Sequence, residues 1–503
     1  VNTLFDFLFS RGEAAAPVLE RPDGQVYRYG DFEAATARVA NALVALGVAP
    51  GDRVAVQVEK SPMALCLYLA TIRAGAVFLP LNTAYTLAEL DYFLTDAEPS
   101  LVVCDPAVEA GVRMIAERIG AGVETLDANG QGGMLDRVKG QPDTFETVAR
   151  GPENLAAICY TSGTTGRSKG AMLTHGNLVA NARTLVALWR FTRDDVLIHA
   201  LPIYHVHGLF VATHVVMGAG ASMIFRPKFD AADALSLFPR ATTLMGVPTF
   251  YTRLLKEPGL TREAVLPMRL FVSGSAPLLA ETHREWSART GTAILERYGM
   301  TETGMNTSNP YDDDRIAGTV GFPLPDVALR VADPETGAPT PAGEIGVIEV
   351  RGPNVFPGYW RMPDKTAAEF RADGFFITGD LGRIDERGYV HIVGRGKDLI
   401  ISGGFNVYPK EVEAEIDALP GVVESAVIGL PHPDLGEGVT AVVVVAAASA
   451  PDEGAVIAAL RDRLARFKQP RRVLFVDDLP RNAMGKVQKV KLRETFAGLY
   501  QER

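Results

Sequence analysis

Residues 160–170 read YTSGTTGRSKG. They hold three glycines, five hydroxyls (Thr161, Ser162, Thr164, Thr165 and Ser168) and two cations, Arg167 and Lys169. Short hydroxyls and closely approachable backbone N–H groups suit a polyanion such as a nucleoside triphosphate. The spacing is not that of a Walker A loop, because no Gly-Lys-Ser/Thr closes a G-x4 interval. A Gly/Ser/Thr surface loop is the alternative. Further stretches are unusually polar for their positions. They present His205 and His207 in LPIYHVHG (201–208), and Arg297, Thr301 and Glu302 in ERYGMTE (296–302). They also present Asp380 in ITGD (377–380), Arg395, Lys397 and Asp398 in GRGKD (394–398), and Lys486 in PRNAMGK (480–486). Taken singly, a strand-end Asp is a turn or cap residue and a late lysine is solvated.

Strand ends and turns must present these groups. Residues 29–46 carry Phe32, Ala35, Val39, Ala42, Leu43 and Leu46 on one helical face. After a turn at 47–52, strands are expected at 53–58, 77–81 and 100–104, with helices at 62–75 and 89–96 between them. Residues 105–152 are less regular, with a loop at 130–133. The alternation resumes with strands at 196–201, 221–225, 243–247, 269–273 and 293–296, and helices at 250–255 and 279–290. This pattern predicts an α/β fold with largely parallel pairing, whose ligands sit where strands break into loops. From about Gly318 turns become frequent and strands alternate, at 328–332, 345–350 and 388–393, which predicts a smaller antiparallel module. A compact α+β tail follows, with helices at 410–418 and 455–464 and strands at 422–428, 440–445 and 472–476. The expected organisation is a large N-terminal domain, residues 1–394, of mixed parallel sheets flanked by helices plus the antiparallel module. A small C-terminal domain, residues 395–503, completes it.

Composition narrows the function. With 503 residues, more than one core is expected. An apolar content of 47% and a charged content of 22% are those of a soluble globular protein. A net charge of −10 argues against a nucleic-acid binder, and the locally basic stretch from Arg461 to Lys491 reads as a solvated face. Cys66, Cys104 and Cys159 lie in apolar runs without metal-ligand spacing, as buried thiols of a reducing compartment do. Residues 1–9 look like a docking helix rather than a signal peptide. The apolar stretch 208–225 reads as a buried helix–strand unit rather than a membrane span. A cytoplasmic protein is expected.

Five motifs then stand in order: 160–170, YGMTE (298–302), TGD (378–380), GRGKD with ISGGFNVYP (394–398 and 401–409), and GK (485–486). Together, over about residues 29–491, they closely resemble the adenylate-forming acyl-CoA synthetases, the superfamily that also contains luciferases and nonribosomal-peptide adenylation domains. The resemblance implies two steps. A carboxylate attacks the α-phosphate of ATP, giving an acyl-adenylate and pyrophosphate. The thiol of coenzyme A then attacks the acyl carbonyl and AMP leaves. It implies that Thr161, Ser162, Gly163, Thr164 and Thr165 hold the phosphates, with Lys169 a further candidate, and that Glu302 holds Mg²⁺. Thr301 would meet the α-phosphate, while Tyr298, followed by Gly299 and Met300, would stack on adenine beside Gly274, Ser275 and Ala276. Asp380 would take the ribose hydroxyls with help from Arg395, and Lys486 would act in the first step. The C-terminal domain is implied to be mobile, swinging about Lys397 so that Ser402, Gly403 and Gly404 line the pantetheine path. Acetylation of Lys486 by a lysine acetyltransferase would silence the first step.

The acid is read from departures inside the motifs. Arg297 stands where the family often has a small residue. His205 matches the common family position and joins the catalytic set, and His207 lies where a pocket side chain is expected, although the two are not ranked. Ser275 is a third polar group. A buried arginine in an acyl pocket needs an anion, which a second carboxylate on the substrate would supply in bidentate geometry. The run RYGMTETGM (297–305) resembles malonyl-CoA synthetases, placing Met305 in the same set. Malonate is the expected substrate, with methylmalonate second. The alternative is that Arg297 pairs internally with Glu296 or Glu302 and the acid is a simple short one. A module loading a carrier protein and a non-catalytic nucleotide-binding regulator are the rival classes; no carrier motif follows Lys491, and the Thr301, Glu302, Asp380 and Lys486 set is intact. A monomer or a homodimer is expected.

Overall fold

The computed structural model describes residues 1–161, 168–402, 405–446, 450–461, 463–464, 466–482 and 484–500, with the backbone alone at Asn406. Short, wholly apolar runs form the middle strands of two large sheets. The first has seven strands, in the order Gly358–Tyr359, Lys169–Thr174, Leu155–Thr161, Val77–Pro80, Arg53–Gln57, Leu101–Cys104 and Gly122–Thr125. It is parallel from Leu155–Thr161 onward. Lys169–Thr174 folds back antiparallel on Leu155–Thr161, so the 160–170 motif links two neighbouring strands in sequence. The second sheet has nine strands and a parallel middle that includes Val196–His199, Thr243–Gly246, Leu270–Ser273 and Leu295–Met300. Strands such as Val77–Pro80 and Thr243–Gly246 are buried on both faces, which is why they read as continuous apolar runs.

The helix Pro62–Arg73 shows how the layers join. Ser61 caps it by accepting from the Ala64 N–H, and Pro62 occupies its first turn. It ends at Gly75, whose φ of +74° suits glycine. Ala64 through Arg73 are all buried. Tyr68 meets Phe78 of the first sheet edge to face at 5.0 Å and Phe210 of the other layer at 5.8 Å. Its hydroxyl bonds the His214 ring at 2.7 Å. Truncating such a residue costs about 3–5 kcal/mol, so Tyr68 is part of what keeps the two sheets in register.

The antiparallel module is the four-stranded sheet Ala328–Ala332, Gly346–Arg351, Phe376–Ile384 and Val390–Arg395. A single 3₁₀ turn, Gly396–Asp398, leads from it to a separate C-terminal sheet that starts at Ile400–Ser402. There the expected strands near 422 and 440 form one long hairpin, Val422–His432 with Gly436–Val445. The stretch read as irregular contains the helices Glu109–Ile119 and Gly133–Val138 around an edge strand, Gly122–Thr125. The first helix buries Val112, Ile115 and Ala116 on one face, an apolar stripe at helical spacing that was legible in the sequence and passed over. The run 208–225 is a helix–strand unit, as expected. Among the described residues no helix is long and apolar enough to cross a membrane. All three cysteines are buried and free.

Candidate active site

The site lies where strands of the two sheets end. On the phosphate side, Thr161 closes its strand and Glu302 follows Leu295–Met300. The Glu302 carboxylate is buried and accepts from the Tyr359 hydroxyl at 3.0 Å and, more weakly, from Thr161 at 3.5 Å. Burial pushes its pKa up. Lys169 stands near the end of the 160–170 motif. It opens a strand, is buried, and pairs with Glu369 at 3.0 Å over the Tyr359 ring. The Tyr359 oxygen also lies 2.6 Å from Glu369, so its single proton is shared between the two carboxylates. Tyr359 and Glu369 thus belong to the site although no motif marked them. Ser162, Gly163, Thr164 and Thr165 lie outside the described residues.

On the opposite side the Asp380 carboxylate is buried and bonded twice, by the Tyr298 hydroxyl at 2.6 Å and by Arg395 at 2.9 Å. Asp380 raises the Arg395 pKa. Gly299 must be glycine, since a Cβ there would lie 2.0 Å from the Gly304 carbonyl oxygen of the returning strand, Gly304–Ser308. That strand was not expected from sequence. Thr301 sits partly exposed in the turn between the two strands. Lys486 reaches this cluster from the far end of the chain. Burial, and then Arg395, push its pKa down to about 8, against the pull of Asp380. Its loop is seated by Met484, which packs into the largest apolar core, and by Gly485 against Thr249.

Arg297 forms the third side. Its side chain is buried, and Nε and Nη2 have no hydrogen-bond partner among the described residues. Burial pushes its pKa down to about 9. The guanidinium lies on Gly274, where a Cβ would stand 2.3 Å from Cζ. The internal pairing does not occur: Glu296 accepts from the Gly318 N–H at 3.4 Å, and Glu302 is taken by Tyr359. His207 is buried, with Nδ1 3.1 Å from the Ser275 hydroxyl and Nε2 unpartnered. Burial and Arg297 hold its pKa well below the imidazole range. His205 is partly buried, its Nδ1 accepts the His207 N–H at 3.2 Å, and its pKa falls to about 4 by burial and then Arg297. His207, rather than His205, is therefore the imidazole joined to Ser275. Ser275 takes a φ of +70°, unusual for a residue with a Cβ. Ala276 follows, partly buried. Met300 closes the preceding strand, and Met305 is buried, with Asn181 accepting its N–H at 3.1 Å and its methyl lying against Gly299.

Among the described residues, the C-terminal part meets this site through Arg395, the Lys486 loop and the helix Pro409–Asp417, whose Lys410 acts on buried Glu296. Lys397 is exposed in the linking turn. Ser402 pairs with Phe405 and Gly436 within the C-terminal sheet, and Gly403 and Gly404 lie outside the described residues.

Comparison with known proteins agrees with this geometry. The family model "AMP-binding enzyme" matches residues 10–360, and "AMP-binding enzyme C-terminal domain" matches residues 411–486. A feruloyl-CoA synthase of Amycolatopsis sp is 37% identical over 482 residues, 95% of either chain. A malonate–CoA ligase of Arabidopsis thaliana is 33% identical over 524 residues, 95% of this chain and 86% of that one. The ATP-bound crystal structure of MatB from Rhodopseudomonas palustris superposes with a TM-score of 0.98 at 64% identity, covering 99% of this chain and 100% of that one. The apo crystal structure of the same protein gives 0.86 at the same identity and coverage. By its matched models and by the carboxylates and cations gathered at its strand ends, this chain belongs to the AMP-binding, adenylate-forming enzymes.

Proposed function

We propose that this enzyme joins malonate to coenzyme A, by way of malonyl-AMP, with release of pyrophosphate and then AMP. The observation that carries the choice of acid is Arg297, a buried guanidinium with two free donors, flanked by neutral His207 and Ser275. A buried cation without a partner is costly, and the second carboxylate of a dicarboxylate removes that cost with bidentate geometry. The malonate–CoA ligase relative and the likeness to MatB support the same reading. Methylmalonate is the second substrate.

In the first step Asp380 fixes the ribose hydroxyls, and Tyr298, braced by its bond to Asp380, lies against adenine between Gly299 and the turn at Gly274. Thr301 meets the α-phosphate, and Lys486 neutralises charge at the reacting phosphate. Glu302 fits Mg²⁺: it is a single carboxylate beside the phosphate loop, and Mg²⁺ is commonly held by one or two carboxylates plus substrate phosphates. When bound, Mg²⁺ supplies charge neutralisation on the phosphates. In the second step the C-terminal domain, residues 395–503, turns about Lys397. This withdraws Lys486 and brings the Ser402–Gly404 face to the pantetheine path. Acetylation of Lys486 removes the charge that the first step needs, making it a regulatory site.

Pyrophosphate release measured over a panel of mono- and dicarboxylates, with and without coenzyme A, tests this reading. Malonate should exceed acetate and propionate by up to about 10⁴-fold, because a site built for a polar partner rejects analogues that lack it. Comparable turnover of propionate and malonate would overturn the assignment.

A further inference from the structure

Lys60 is a buried amine that no step above uses. It follows the strand Arg53–Gln57 of the seven-stranded sheet. Its Nζ lies 2.8 Å from Nδ1 of His199 and 2.8 Å from the His199 carbonyl oxygen, above the Phe225 ring at 4.3 Å. His199 ends a strand of the nine-stranded sheet, so the contact ties the two sheets at one pair of strand ends. Because the amine donates to Nδ1, the neutral imidazole carries its proton on Nε2. That N–H is 2.9 Å from the Gly208 carbonyl oxygen and 3.1 Å from the Thr213 hydroxyl. The same carbonyl accepts the Thr213 hydroxyl at 3.0 Å and the Thr213 backbone N–H.

Gly208 is the second residue of a π-helical turn, His207–Ala212. Turns of this kind are rare and concentrate at functional sites. The turn is pressed onto the preceding loop: a Cβ on Gly208 would stand 2.0 Å from the Pro202 carbonyl oxygen. Three donors on one carbonyl therefore set its orientation, and its first residue is the histidine that meets Ser275 beside Arg297.

We propose that Lys60, His199 and Thr213 are positioning residues for the acid pocket, holding the π-turn so that His207 faces the substrate's distal carboxylate. None of them touches the acid. The proposal rests on the dicarboxylate reading. Its test is the KM for malonate and for ATP, together with the malonate-to-propionate selectivity, in Lys60→Met, Thr213→Val and Thr213→Ser. Thr213→Val keeps the side-chain volume and removes the hydroxyl, whereas Thr213→Ser keeps the hydroxyl. Lys60→Met should raise the malonate KM about tenfold and Thr213→Val about threefold, with the ATP KM within about twofold and selectivity falling in proportion. Thr213→Ser should restore the malonate KM. If Lys60→Met fails to fold, the Thr213 pair decides. Unchanged malonate KM in Thr213→Val, or an equal rise in the ATP KM, overturns the proposal. A parent enzyme that uses propionate as readily as malonate would instead sink the dicarboxylate reading, and the KM for the preferred acid in the same variants would still decide the positioning role.

Discussion

In the proposed function, Arg297 selects the acid by being costly to bury alone. A near-isosteric apolar replacement, Arg297→Met, should raise the melting temperature, since removing a buried unpaired charge is worth about 1–4 kcal/mol. It should also lower kcat/KM for malonate by about 10³-fold or more while the KM for ATP changes little. Thermal unfolding and steady-state kinetics on one preparation check both halves, and a fall in stability would mean that Arg297 has an internal partner. Lys486 makes a second residue-scale prediction. Its pKa is pushed down to about 8 in the free enzyme, so its positive charge is present below that pH and lost above it. The kcat/KM for ATP in adenylate formation should therefore decline as pH rises through about 8, a limb that Lys486→Arg should shift upward. A profile flat to pH 10 would remove Lys486 from the first step.

At the scale of elements, the strand carrying Lys169 and the segment carrying Tyr359 and Glu369 act as one unit. Burial alone would raise the Glu369 pKa, but hydrogen bonds from Lys365, Tyr359 and Lys169 bring it below the ordinary value. A carboxylate with a depressed folded pKa stabilises above its unfolded pKa, and that contribution is lost as pH falls through the folded value. Glu369→Gln should destabilise the fold by about 3 kcal/mol at neutral pH by leaving Lys169 unpaired, with less effect in acid, as urea unfolding at several pH values would read. An equal effect at every pH would put its cost in packing instead. These elements also show what was legible. The apolar runs and turn residues announced the parallel strands, and the polar residues at their ends announced Asp380, Glu302 and Arg297. Tyr359 and Glu369 were hidden because they act through pairing with strands nearly 200 residues earlier, and one sequence carries no trace of a distant partner. The ladder that Lys169 opens with Leu155–Thr161 was hidden for the same reason, since its loop-like neighbours gave no sign of it. The short hairpin strand Gly304–Ser308 carries the polar Asn306, Thr307 and Ser308, all buried, so strand propensity was silent there.

For the whole molecule, the C-terminal part is held against the rest by Met484, by the Lys486 loop and by Lys410 acting on Glu296. The chain superposes better on the ATP-bound than on the apo MatB structure, with TM-scores of 0.98 and 0.86. Lys486→Ala should abolish adenylate formation yet leave thioester formation from supplied malonyl-AMP largely intact, as single-turnover assays of the two halves would show. Equal loss in both would sink the proposed exchange of faces.

Ser275 carries a consequence for engineering. With φ at +70° it stores strain that glycine would not, of order 1 kcal/mol. A search for thermostable variants would pick Ser275→Gly and gain about one degree, the shift that about 1 kcal/mol makes in a chain of this length. It would also delete the hydroxyl that meets His207, so the gain in heat tolerance should arrive with weaker discrimination between malonate and propionate. At this position durability and choice of acid are traded against each other, and a library scored on melting temperature alone would select a sturdier and less discriminating enzyme.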